Sequence, residues 1–163
     1  MSTGSVDCSS YSAAPLNIDV GADCAILDMA FSSDGTHLLV AKTGAAPSVA
    51  VYRLPDADSC AAGVGQLALV HEVAVDGLCG VACFSPHGEG AFVTAAMGEA
   101  EGSALPVYVQ AWQWGAEGTE PAHVQTLTLT LEQEPDSAPD VRLVSDTPDG
   151  HFATIFSRGS KRM

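Results

Sequence analysis

Apolar runs separated by turn residues recur along the chain at a long and nearly even interval. Ala30-Phe31-Ser32-Ser33-Asp34-Gly35 is echoed 53 positions later by Cys83-Phe84-Ser85-Pro86-His87-Gly88, and more loosely by Leu143-Val144-Ser145-Asp146-Thr147-Pro148-Asp149-Gly150. An apolar run follows each turn: His37 to Ala41, Ala91 to Ala96, and His151 to Phe156. In the first two units an aromatic-tagged segment comes next, Ser48 to Leu54 with Tyr52, and Val107 to Trp114 with Trp112. Gln66 to Val75 and His123 to Glu132 then close those units. Each unit reads as strand, tight turn, strand, loop, strand, loop, strand.

Physical reasons support that reading. Asp tolerates positive φ and Gly favours it, so Asp34-Gly35 and Asp149-Gly150 can close short hairpins. Pro86 pre-sets φ in the second copy. The strands after the turns are continuous apolar runs rather than alternations, which predicts cover on both faces. Gln125 to Glu132 alternates strictly, so it predicts a half-wet outermost strand. Ala-rich stretches are broken by Gly or Pro every few residues, which leaves no helix of useful length. Four-stranded units that bury both faces against their neighbours are the β-propeller arrangement. The expected fold is therefore all-β: a partial β-propeller of WD-like four-stranded blades, two full blades and part of a third. Residues 1–20 read as a flexible lead-in, 21–157 as the blades, and 158–163 as a basic tail. Pro55 to Gly65 and Gly98 to Pro106 read as loops. Closed propellers use about 4–8 blades, so the expectation is a piece of a longer polypeptide, or else self-association.

Charge removes whole classes of function. Twenty acidic residues face six basic ones, a net charge of −14, and Arg158, Lys161 and Arg162 sit in the tail. Only Lys42, Arg53 and Arg142 remain elsewhere to meet phosphate. A nucleic-acid partner needs clustered Lys and Arg, and an anionic membrane surface disfavours this chain for the same reason. The lead-in lacks the basic start and apolar stretch of a signal peptide. Five cysteines without secretory context are expected to be reduced thiols in the cytoplasm.

Candidate chemistry is thin. Cys79 and Cys83 lie four apart on a predicted inner strand, where regular alternation would give them one face. Zinc would need two further ligands, and the five histidines (His37, His71, His87, His123, His151) are scattered singly, so buried structural cysteines are expected. Asp146 to Gly150 lacks the third acidic position and closing Glu of a calcium loop. Gly63-Val64-Gly65 lacks the Lys-Ser/Thr of a phosphate loop. The carboxylates Glu99, Glu101, Glu117, Glu120, Glu132 and Glu134 are expected to be solvated. No catalytic, cofactor-binding or metal residue is assigned, and the chain reads as no enzyme. Trp112 and Trp114 share a face of one strand and are expected to pack between blades.

Phe31 to Leu54 and Phe84 to Trp114, each an apolar strand after a turn followed by an aromatic-tagged strand, resemble the WD-repeat blades of cilia- and flagella-associated proteins of the axoneme. The matching blade signature comprises Phe31, Asp34, Gly35, Tyr52, Phe84, Gly88, Trp112, Trp114, Asp149 and Gly150. The resemblance implies a non-catalytic protein–protein scaffold without cofactors, docked on axonemal microtubule complexes or dynein tethers in a cilium or flagellum. The sequence departs from the pattern in having no Trp-Asp dipeptide and in carrying His87 where the turn has Asp. Phe31-Ser32-Ser33-Asp34-Gly35, Ser48 to Tyr52 and Gly65-Gln66-Leu67 are also similar to lactonase-like propellers. That alternative implies an enzyme or small-molecule binder whose active residues lie in other blades.

Overall fold

The computed structural model describes residues 18, 23–56, 58–59, 66–85, 90–99, 101–115, 119–132, 139–144 and 153–158. The turns at Gly88 and Asp149-Gly150, the remainder of the lead-in and the end of the basic tail lie outside them. The protein is all-β, and among the described residues helix is confined to Asp58–Ser59. Four strands form the first antiparallel sheet in chain order: β1 (Ala25–Phe31), β2 (His37–Thr43), β3 (Ser48–Arg53) and β4 (Ala68–Ala74). The second sheet repeats that order with β5 (Leu78–Phe84), β6 (Ala91–Met97), β7 (Ala104–Gln113) and β8 (Ala122–Glu132). A third antiparallel pair, β9 (Pro139–Val144) and β10 (Ala153–Arg158), follows.

The internal repeat extends to its irregularities. The register of β1 on β2 slips between Ile26 and Asp28, and that of β5 on β6 slips between Cys79 and Val81, again 53 positions on. β3 slips against β4 between Val51 and Tyr52, and β7 slips against β8 between Ala111 and Trp112. Such bulges bend a strand and increase its twist locally. Hairpin closures recur as well. The Leu54 amide donates to the Thr36 carbonyl at 2.8 Å, and the Trp114 amide donates to Gly90 at the same distance. Leu54 and Trp114 therefore hold equivalent positions.

The bulge at Gly80 corrects one expectation. Cys79 pairs with Ala96 and Cys83 with Val93, so four steps on β5 match three on β6. The regular two-residue alternation assumed for a shared face is interrupted between them. The reading of Gly98 to Pro106 as a loop changes too. Glu101 and Ala104 exchange backbone hydrogen bonds at 2.8 and 3.1 Å, which closes a tight turn and starts β7 at Ala104.

β2 and β6 are buried along their centres, from Leu38 to Lys42 and from Phe92 to Ala96, as their continuous apolar runs predict. The main core lies between the two sheets. Leu39, Ala41, Val49, Val51 and Val73 of the first meet Ala82, Phe84, Phe92 and Ala96 of the second. The Leu, Val and Phe side chains among these contribute roughly 1.5–3 kcal/mol each when fully buried, which makes this seam the main source of cohesion. Leu38, Val40, Ala50 and Tyr52 form a smaller cluster on the opposite face of the first sheet, with Ile18, Leu54 and Leu67 against it. Ala95 and Val107, with Val109, Leu129 and Leu131, form another on the far face of the second sheet. β8 is the edge strand expected from its alternation, with Leu129 half-buried and Leu127 exposed. The leading strands are neighbours in sequence order: β1 packs beside β5, and β5 beside β9.

Candidate functional site

The first turn is a closed hydrogen-bond ring. The Ser32 hydroxyl donates to Asp34 Oδ1 at 2.6 Å, the Thr36 amide donates to the same oxygen at 3.0 Å, and the Thr36 hydroxyl donates to Oδ2 at 2.8 Å. Ser32 Oγ accepts the His37 amide at 2.8 Å, which ties the turn to the start of β2. Gly35, at φ +70°, supplies the left-handed residue that lets the chain reverse. Hydrogen bonds from Ser32 and then Thr36 hold the Asp34 carboxyl at about 2, below its ordinary 3.8. The Thr36 hydroxyl proton is engaged by Asp34, so the 2.7 Å contact between Thr36 Oγ1 and His37 Nδ1 requires the proton on Nδ1.

His37 leads from the turn to the seam. Its ring lies 5.9 Å from Trp114, which also meets Phe84 at 5.8 Å, Phe92 at 5.6 Å and His71 at 5.9 Å. Trp112 stacks nearly parallel on Phe92 at 6.1 Å and donates its indole N–H to Thr94 Oγ1 at 3.3 Å. Both tryptophans thus pack between the sheets, as their shared face predicts. A second cross-sheet tie is polar: Asp28 on β1 accepts the Ala82 amide of β5 at 3.2 Å.

The opposite face of the first sheet differs along its width. Register places Ile26, Met29 and Phe31 of β1 opposite Lys42, Val40 and Leu38 of β2. These β1 residues therefore share a face with the Leu38–Val40–Ala50–Tyr52 cluster, yet all three are exposed. Ile18 packs on the centre of that face, while Leu69, paired with Tyr52, is exposed at its other side. Lys42 is buried at the far end of the face, and its ammonium is 2.6 Å from Glu72 Oε1. The Ser48 hydroxyl donates to that same oxygen at 2.7 Å. The Lys42 and Ser48 hydrogen bonds hold the Glu72 carboxyl below its usual range. The only two charges of this trio cancel each other.

Among the described residues no group of His, Cys, Asp or Glu is arranged to hold a metal. No helix among them is long and apolar enough to cross a membrane. Cys24 and Cys83 are free thiols, and burial, helped by the Asp28 charge, pushes Cys83 up to about 12. An open cleft of about 440 Å³ lies beside the β3–β4 connection, lined by Arg53, Leu54, Asp56, Ser59 and Gln66 among others.

Of the blade-signature residues, the structure brings Phe84, Trp112 and Trp114 together at the seam and sets Asp34 and Gly35 in the first turn. Tyr52 is buried on the opposite face of the first sheet, and Phe31 is exposed there. Gly88, Asp149 and Gly150 lie outside the described residues. Sequence reasoning missed Ser32, Thr36 and His37 as turn partners; their spacing around Asp34 was the available signal. It also missed Met29, which simple alternation from Phe31 places on the same exposed face. No family model, curated protein or solved structure matches the chain.

Proposed function

We propose that this chain is a non-catalytic protein–protein interaction scaffold built of WD-like propeller blades, acting in the axoneme of a cilium or flagellum. One observation carries the reading. Two successive four-stranded sheets repeat each other down to their bulges and hairpin closures, and stack through a continuous apolar seam. Such repeats are joined by the same kind of contact over and over and present broad faces to partners. The apolar β1 face supports the same reading, because exposed apolar clusters of this kind mark contact sites. The strongly acidic surface suits a protein partner that carries a complementary basic patch.

Capture from axonemes tests the ciliary part. Tagged protein incubated with salt-extracted axonemes should retain microtubule-associated or dynein-tether components, and retention should fall steeply with added salt. Recovery of no axonemal component at low ionic strength would overturn the assignment.

A further inference from the structure

We propose that the β1 face bearing Ile26, Met29 and Phe31 docks a second copy of this chain, seated head to tail on the same stack axis that joins its own sheets. The molecule contains its own reference. Phe31 and Phe84 end the first strands of successive units, and Met29 and Ala82 stand two residues before them at the preceding position on the same face. Phe84 is 7% exposed and Ala82 3%, because the first sheet covers them with Leu39, Val49 and Val51. Phe31 is 68% exposed and Met29 55%, with no equivalent sheet over them among the described residues. An aromatic and a thioether side chain left open at a position the fold otherwise buries is the mark of a surface with an absent partner.

The structure also defines what fits. The equivalent face is covered by a sibling sheet of this repeat, and the order runs in one direction. β5 lies against β1, and β9 lies against β5. The β9–β10 pair continues that order, so a second copy seated head to tail sets its β1 face on that end of the stack. This is a heterologous contact, using different patches on the two partners. The Lys42–Glu72 pair leaves the face without uncompensated charge at that end, so docking buries no lone ion there.

Charge sets the conditions. Each copy carries −14, so association is opposed at low salt and released as screening shortens from about 10 Å at 0.1 M to about 3 Å at 1 M. Sedimentation equilibrium of the full chain at roughly 10 µM to 0.5 mM should show mass rising with both concentration and salt. Phe31→Asp and Met29→Asp should each weaken association by at least about tenfold while leaving the circular dichroism unchanged, since a carboxylate buried there finds no partner. Leu127→Asp, at an exposed site on the edge strand β8, should leave association intact. A wild-type chain that stays monomeric throughout at 1 M salt overturns the proposal. So does equal disruption by Leu127→Asp. Efficient disulfide formation between two Phe31→Cys chains would establish a face-to-face dimer and overturn the head-to-tail seating. The inference rests on the scaffold reading and names one partner for it. A strictly monomeric chain that still captures axonemal components would sink this inference alone.

Discussion

The rings of His37 and Trp114 stand 5.9 Å apart, and that contact joins the first turn of one sheet to the aromatic end of the other. Trp114 also touches Phe84, Phe92 and His71, so removing it opens the seam from both sides. Trp114→Ala should lower stability by roughly 2–4 kcal/mol, the low end reflecting its partial burial. Trp114→Leu should recover much of that loss, because Leu serves at the equivalent Leu54 position. Urea titration of both variants checks the pair. Equal losses would show that aromatic shape, rather than apolar area, holds the seam.

Acid should loosen the first turn before it affects the seam. Asp34 in the folded protein ionises at about 2, below its ordinary 3.8. A depressed carboxyl contributes stability that is complete above its unfolded value and is lost as pH falls from about 4 toward 2. Asp34→Asn should therefore flatten the dependence of stability on pH in that window. At neutral pH it should cost under about 1 kcal/mol, because the carboxylate is solvent-exposed and screened. Denaturation midpoints of wild type and variant from pH 2 to 7 give the test. Parallel curves would mean the turn hydrogen bonds contribute nothing to the folded state.

Lys42 and Glu72 should respond unequally. Glu72→Gln leaves the Lys42 ammonium buried without a counter-charge and should cost roughly 1–3 kcal/mol, less than a fully buried pair because Glu72 is partly exposed. Lys42→Met replaces the stem with apolar volume among Val40 and Ala50 and should be close to neutral. A double-mutant cycle on thermal or chemical denaturation measures the coupling. The sign with pH is the same as for Asp34: the Glu72 contribution is present above its ordinary value and fades as pH drops below it.

Cys83 should be chemically silent in the folded chain. Burial raises its thiol to about 12, so at pH 8 the thiolate fraction is on the order of one in ten thousand. Iodoacetamide under native conditions should spare Cys83, and should label it once urea unfolds the chain. Peptide mass spectrometry before and after denaturation reads the outcome. Rapid native labelling would place the second sheet's inner strand in solvent.

Strand order and the position of nearly every described strand were legible in the pattern, because apolar runs and turn residues act locally. The seam was legible for the same reason: Trp112 and Trp114, two apart on one strand, must share a face. What the pattern hid were one-residue insertions. The bulge around Gly80 interrupts the alternation between Cys79 and Cys83, and the one before Asp28 sets Ile26, three residues from Met29, on the same face as Met29 and Phe31. Gly80 inside its strand is a local hint of its bulge, whereas the one before Asp28 carries none, since it is decided by pairing with the adjacent strand. The Ser32–Asp34–Thr36 ring was hidden differently, for side-chain hydrogen bonds depend on rotamers that hydropathy does not encode.

Two turn glycines with nearly the same backbone should tolerate a methyl group very differently. Gly35 (φ +70°) and Gly90 (φ +76°) both occupy the left-handed region, where a Cβ costs about 1–2 kcal/mol. At Gly35 a Cβ would meet nothing within 4 Å, so Gly35→Ala should show that conformational cost alone. At Gly90 the Cβ would lie 2.7 Å from the Trp114 carbonyl oxygen, a backbone atom that cannot rotate away. The same carbonyl belongs to the residue whose amide closes the β6–β7 hairpin on Gly90. Gly90→Ala must therefore shift that closure and with it the indole at the seam. It should lose roughly 1–3 kcal/mol more than Gly35→Ala and should change Trp fluorescence in the folded state. Matching losses for the two variants, with unaltered emission, would show that the hairpin end moves freely and does not position Trp114.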